Sequence, residues 1–284
     1  MRAALFVGFF SGLLALLAGP ALAHDSWFAP LSRTDRGEVV FAFGTGNQFP
    51  IQDVTIPLAQ LAGSGCQAGG QAGGPGAGQR AAPMRWVADR PIALVLRSAR
   101  PVPATAPLTC WAQLHPIAIE IADNNTVEVY LKEVNALPAV RERWEALRAR
   151  GLRWQETYTK HARIELDALE APAGAPAAAP LAAIAGLGLD LRMETPGPLR
   201  AGDTLRAQLL RDGQPLAGQP LELRSDLSPI GIWRQTDAEG RISVTVPLAA
   251  RWLLRGVELR PSERRADAWE SRFITLAFEA LPKR

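Results

Sequence analysis

Histidine is scarce in this chain, and its three copies, His24, His115 and His161, are the side chains best suited to hold a transition metal. His24 has a second potential donor. If the chain is cut after Ala23, this residue carries a free α-amine with an ordinary pKa of about 7.7 to 8.0, usefully deprotonated near neutral pH. The amine and ring Nδ1 of one residue close a chelate on a single ion, and nitrogen donors in a tetragonal arrangement suit Cu(II) or Ni(II). The adjacent Asp25 is expected either to ligate the ion or to accept a hydrogen bond from the histidine ring. A chelate from one residue is weak, so a further ligand is expected from elsewhere. His161 is the better candidate, because it falls on the polar side of a strand pattern. His115, beside Pro116 and between Leu114 and Ile117, reads first as a structural histidine and only second as a ligand. The expected cofactor is a divalent transition metal: copper, nickel or cobalt.

The chelate depends on a cleavable leader. Residues 1–23 have its parts: Arg2, an apolar run from Ala3 to Leu17, and Gly19-Pro20 before Ala21-Leu22-Ala23, with small residues where signal peptidase requires them. The run is interrupted by Gly8, Ser11 and Gly12 and is shorter than the roughly 20 residues of a membrane span. Cleavage after Ala23, a periplasmic location and no membrane span in the processed chain are therefore expected. An oxidising compartment also gives Cys66 and Cys110 a role, since disulfides persist there, and two isolated cysteines without a CxxC spacing favour a bond over metal ligation.

Composition and motifs exclude several classes. Removing residues 1–23 takes away Arg2 alone from 31 basic and 28 acidic side chains, a near balance that does not describe a nucleic-acid binder. Arg141 to Arg150 alternate with Glu142 and Glu145, as on a solvated helix face. There is no Gly-x-Ser-x-Gly elbow, no phosphate-binding glycine loop and no His-Glu-x-x-His, and no carboxylate pair is singled out for glycosidase chemistry. A non-enzymatic role is expected.

The elements that must position these residues are mostly strands. Val39 to Phe43, Ile92 to Leu96, Ile117 to Ile121 and Val127 to Leu131 have β character, and Asp123-Asn124-Asn125 predicts a hairpin between the last two. Leu137, Val140, Trp144 and Leu147 form one apolar stripe and predict an amphipathic helix, with Pro138 in its first turn and Gly151 at its stop. Trp154 to Leu166 reads as a strand. Downstream, Leu205 to Leu210, Leu221 to Arg224, Ile242 to Val246, Trp252 to Leu259 and Phe273 to Phe278 alternate with turns such as Asp212-Gly213. That pattern predicts an antiparallel sandwich of immunoglobulin or transthyretin type, with Trp233, Trp252 and Trp269 in its core or at its edge. Ala62 to Ala82, dominated by Gly, Ala and Gln, reads as a mobile loop tethered by Cys66, and Ala168 to Gly186 as an Ala/Pro linker. The expected fold is thus mainly β: an N-terminal sandwich-like domain at 24–167 with one helix, and a C-terminal sandwich at 187–284.

Several segments together resemble the DUF4198 family of exported proteins. They are Ala23-His24-Asp25-Ser26-Trp27-Phe28, Gly44-Thr45-Gly46-Asn47-Gln48-Phe49-Pro50, Arg150-Gly151-Leu152-Arg153-Trp154 with Tyr158-Thr159-Lys160, Asp212-Gly213-Gln214-Pro215-Leu216-Ala217-Gly218, Thr236-Asp237-Ala238-Glu239-Gly240 and Trp269-Glu270-Ser271. The resemblance implies export, β domains, a carboxypeptidase-regulatory-like C-terminal part and a link to nickel and cobalt uptake. A processed His24 also resembles the histidine brace of copper carriers and copper oxygenases. The functional expectation is a periplasmic accessory protein that binds a transition metal for uptake or delivery, with a metal-uptake transporter or outer-membrane receptor as partner. The alternative is a non-catalytic envelope module whose two β domains recognise a protein or glycan.

Overall fold

The computed structural model describes residues 24–68, 83–90, 93–168, 183, 184 and 186–284. The leader expected at 1–23 lies outside the described residues, as do 69–82 of the glycine-rich segment and most of the Ala/Pro segment. In chain order the first strands are β1 (Asp25–Arg33), β2 (Val39–Gly46), β3 (Leu61–Ala68), β4 (Arg85–Arg90), β5 (Ala93–Arg97), β6 (Leu108–Leu114) and β7 (Ile117–Ile121). Next come helices α1 (Asn124–Glu133) and α2 (Pro138–Ala149), then β8 (Trp154–Leu166), β9 (Leu189–Met193), β10 (Thr204–Arg211), β11 (Gln214–Pro215) and β12 (Pro220–Ser225). The last are β13 (Ser228–Gln235), β14 (Arg241–Thr245), β15 (Ala250–Pro261) and β16 (Trp269–Ala280).

The fold is mainly β, as its sequence pattern predicts. Its centre is an eight-stranded sheet in the order β13-β12-β15-β16-β8-β6-β3, with β7 also on β8. Within it β8 and β16 run parallel, pairing Glu156 with Trp269 through to Ile164 with Ala277. Strands from both halves of the chain therefore share one sheet.

Two layers cover one face of this sheet. The sheet β1-β2-β5-β4 packs Trp27, Phe28, Phe41, Phe43, Leu94 and Leu96 against Ala162, Ile164, Leu253 and Ala277. The helices cover the other part, where Val127, Tyr130, Leu131, Val140, Trp144 and Leu147 meet Trp154, Val257, Trp269 and Phe273. Trp154 stacks on Trp269 at 4.8 Å between ring centroids and meets Trp144 edge-on at 5.3 Å. On the opposite face, β9, β10 and β14 bury Leu191, Leu205 and Val244 against Trp252, Leu254, Ile274 and Leu276.

Three expectations need correction, and one strand goes unnamed in the sequence pattern. Val127 to Leu131 is helix α1, not the second strand of a hairpin. Asp123 is its N-cap, accepting from Asn125 N at 3.3 Å and Thr126 N at 2.9 Å. The apolar residues Val127, Tyr130 and Leu131 then fall on one buried helical stripe. The N-terminal half thus carries two helices. Residues 62–68, expected to be loop, are part of β3, which pairs with β6. Finally, β13 escapes notice in the sequence because Pro229 and Gly231 punctuate it, and an edge strand tolerates both. Asp212 and Gly213 form the expected tight turn, with φ of 50° and 80°, leading from β10 into β11.

The Cys66–Cys110 disulfide is present, joining directly opposed residues of β3 and β6. With a sequence separation of 44 between the cysteines, chain entropy assigns the link about 4 kcal/mol. The double variant Cys66→Ala, Cys110→Ala is expected to unfold at lower urea with a loss approaching that figure. A loss under about 1 kcal/mol would contradict the chain-entropy assignment.

Candidate functional site

His24 sits half-buried at the start of β1. The two residues after it are fixed from two sides. Asp25 pairs with Gly46 of β2, and the Ser26 carbonyl accepts from Thr275 Oγ1 of β16 at 2.6 Å. The Asp25 side chain points into the protein, its Oδ2 lying 2.5 Å from Nε of Arg255 on β15.

Arg255 is the hub of a buried ion network. Its Nη1 donates to Glu222 Oε2 at 2.9 Å and to the Glu133 carbonyl of α1 at 3.4 Å. Glu222 Oε2 also lies 2.8 Å from Arg224 Nε. Burial pushes the Asp25 carboxyl above the usual carboxylate range, and the Arg255 guanidinium pulls back against it. Lys160 of β8 reaches the same region, its ammonium 5.4 Å from the Tyr158 ring centroid and 5.9 Å from that of Phe273. Burial brings the Lys160 amine down to about 8. The His24 ring is itself held below its ordinary value, by burial and then by the Lys160 charge, so the neutral imidazole that a metal requires predominates near neutral pH.

Beside this network lies a second buried carboxyl. Glu156 accepts from Tyr130 Oη at 2.9 Å, from Trp154 Nε1 at 2.7 Å and from Ser271 Oγ. Burial raises its pKa against the pull of those three donors. It ties α1 to β8 and β16.

The histidines chosen from sequence are not brought together. Along β8 successive side chains alternate between faces, and Lys160 faces the β1 side. His161 therefore faces β9. There its Nδ1 meets the Phe273 carbonyl at 3.1 Å, while a Cβ placed on Gly188 would lie 3.6 Å from its Nε2. The polar side of this strand is not solvent-facing: His161 is 2% exposed and Arg163 0%. Arg163 is satisfied there by Asp190 at 3.0 Å and Glu165 at 2.8 Å. His115 is exposed at the β6–β7 turn, its backbone N–H donating to Gln60 O at 2.8 Å, so it is not the buried structural histidine its neighbours suggest. Asp25, chosen as a ligand or ring acceptor, is instead the counter-ion of Arg255. Among the described residues no group of three or more His, Cys, Asp and Glu side chains is arranged to hold a metal.

Sequence reasoning missed Lys160, Arg255 and Glu222, and also Asp53, whose charge bears on the His24 ring. Lys160 gives one signal, falling with Glu156 on the side of the β8 alternation that also carries Trp154, Tyr158, Ala162 and Ile164. No protein-family model matches this chain, and no curated protein matches it.

Arg255→Met leaves two buried carboxylates without their shared countercharge, and a loss of about 3–5 kcal/mol is expected by urea unfolding. Adding Asp25→Asn and Glu222→Gln should recover part of it; no recovery would contradict the ionic origin of the loss. His161 has its pKa lowered from 6.5 to about 4 by burial, so the unfolded chain takes up the proton more readily than the fold. Stability from this group is complete above pH 6.5 and declines as pH falls toward 4, by about 3 kcal/mol in total. The difference in unfolding free energy between pH 7 and pH 4 should shrink by that order in His161→Gln, and an unchanged difference would refute the assignment.

Proposed function

We propose that this is an exported accessory protein that captures a divalent transition-metal ion through His24 at a processed N-terminus, for uptake or delivery. The observation carrying this reading is that Asp25, the residue after the chelating histidine, is locked into the core by Arg255 while His24 itself stays at the rim. A free terminus would lose the entropy of ordering each time it gripped an ion, and an anchored one avoids most of that cost. The segments that resemble the DUF4198 family agree with it and suggest a metal-uptake transporter or outer-membrane receptor as partner. Among the described residues no helix is long and apolar enough to cross a membrane.

A second reading, an envelope module that recognises a protein or glycan, is favoured by one observation. Leu227 and Ile230 are 68% and 79% exposed at the hairpin leading into the edge strand β13.

Calorimetry with Cu(II) and Ni(II) separates the two. Protein beginning at His24 should bind at least about tenfold more tightly than protein carrying one extra residue before it, a difference of about 1.4 kcal/mol. The extra residue turns the amine into a peptide nitrogen, a poor donor. His24→Ala should lose binding similarly. Equal affinities, or none in either protein, would favour the envelope module.

A further inference from the structure

The two covers on one face of the large sheet leave a seam between them, and the central strands mark it at matching positions. On β16, Ala277 belongs to the core under β1–β2–β5–β4 and Phe273 to the core under the helices, with Thr275 between them. On β15, Arg255 stands in the same way between Leu253 and Val257. Its register partner is Thr275, whose own partner on β8 is Ala162. The next residue of β8 on this face, opposite Phe273, is Lys160. It is thus the polar residue of β8 between Ala162, in the first core, and Tyr158, packed against the second.

The buried carboxylates of the seam are already taken. Asp25 and Glu222 both pair with Arg255, and Glu222 also with Arg224. Glu133, half-buried at the end of α1, meets Arg255 through its backbone carbonyl and forms no ion pair among the described residues. Lys160 is left without a counter-ion. It is 8% exposed, and among the described residues no hydrogen bond or ion pair engages its ammonium. Its polar end has only the rings of Tyr158 and Phe273, with centroids 5.4 Å and 5.9 Å away. The attraction of a ring for an ammonium is small beside the cost of taking that charge out of water. Nor is lysine the default cation of this chain, which has only Lys132, Lys160 and Lys283 among 31 basic side chains. Where the seam's other cations are arginines held by carboxylates, position 160 keeps a compact charge with three unused donors.

We propose that Lys160 anchors a binding site for the carboxylate of a small organic acid, which supplies the counter-ion that the fold does not. One ammonium matches one negative charge, and this favours a carboxylate over the more highly charged phosphate. Tyr158 is half-buried, so its ring gives the site an edge on solvent and an apolar wall for the body of the ligand. The site is separate from the chelate at His24 and needs no metal.

The test uses the full chain, metal-free, with benzoate as the probe and inorganic phosphate at equal ionic strength as the comparison. With 13C-labelled lysine the spectrum holds three Hε–Cε signals, and that of Lys160 stands apart because two rings lie against its amine. Benzoate should move this signal saturably and leave those of Lys132 and Lys283 in place, and phosphate should move none of them. Lys160→Met keeps the buried stem and drops the charge. It should bind benzoate at least about tenfold more weakly by calorimetry, with a urea midpoint no lower than the parent's, while Lys132→Met binds like the parent. A Lys160 signal that does not move, or that phosphate moves equally, overturns the site, as does undiminished binding in Lys160→Met. A midpoint for Lys160→Met well below the parent's would show that the fold itself satisfies the ammonium, and would overturn it too. If that variant does not fold, the three signals of the parent decide.

Discussion

The parallel pairing of β8 with β16 is the contact on which the rest of this structure depends. It joins segments about a hundred residues apart in the middle of an eight-stranded sheet, and such a pair is stable only when both of its faces are covered. Each of the three cores is one of those covers. Ala162, Ile164 and Ala277 form the floor under the β1–β2–β5–β4 layer, while Trp154, Trp269 and Phe273 receive the helices. On the opposite face Ile274 and Leu276 close against β9, β10 and β14. Separating the two strands would open all three cores together.

The charged network arises from how two of these covers meet. The β1–β2–β5–β4 layer and the helices share one face of the large sheet, and their seam carries Lys160, Arg255, Glu222 and Asp25. Isolated charges here would cost several kcal/mol each, so they occur as a mutually neutralising set with Arg255 bridging two carboxylates. Hydrophobic packing fixes where β1 lies, and the ion pair fixes where β1 starts. His24 therefore stands at the rim with its direction already set, as the proposed chelate requires.

Glu156 plays a comparable part a short way along β8. Three donors from α1, β8 and β16 converge on one buried carboxyl, so the helices are oriented by hydrogen bonds as well as by the tryptophan stack. Networks of this kind contribute specificity of arrangement, since a helix shifted along the sheet would leave the carboxyl unsatisfied.

Local pattern determined a good deal. The apolar stripe of α2, the strand character of β8, β10, β12, β14, β15 and β16, and the Asp212-Gly213 turn are all written in short-range spacing, where the periods 3.6 and 2 express themselves directly. The pairing of the only two cysteines was likewise legible. For α1 the local signal existed but was ambiguous, because Asp123 serves equally as a turn residue or as an N-cap. The candidate site was legible only at His24. Which carboxylate meets Arg255 and which face of β8 carries His161 depend on partners far apart in the chain. The polar side of β8 looks solvent-facing from its own residues, and only the arrival of β16 and β9 turns it into an interior lined by Arg163 and Asp190. Sequence spacing records the alternation of a strand's two faces, but what covers each face is decided by long-range packing, and that is why tertiary structure alone set the surroundings of every candidate ligand.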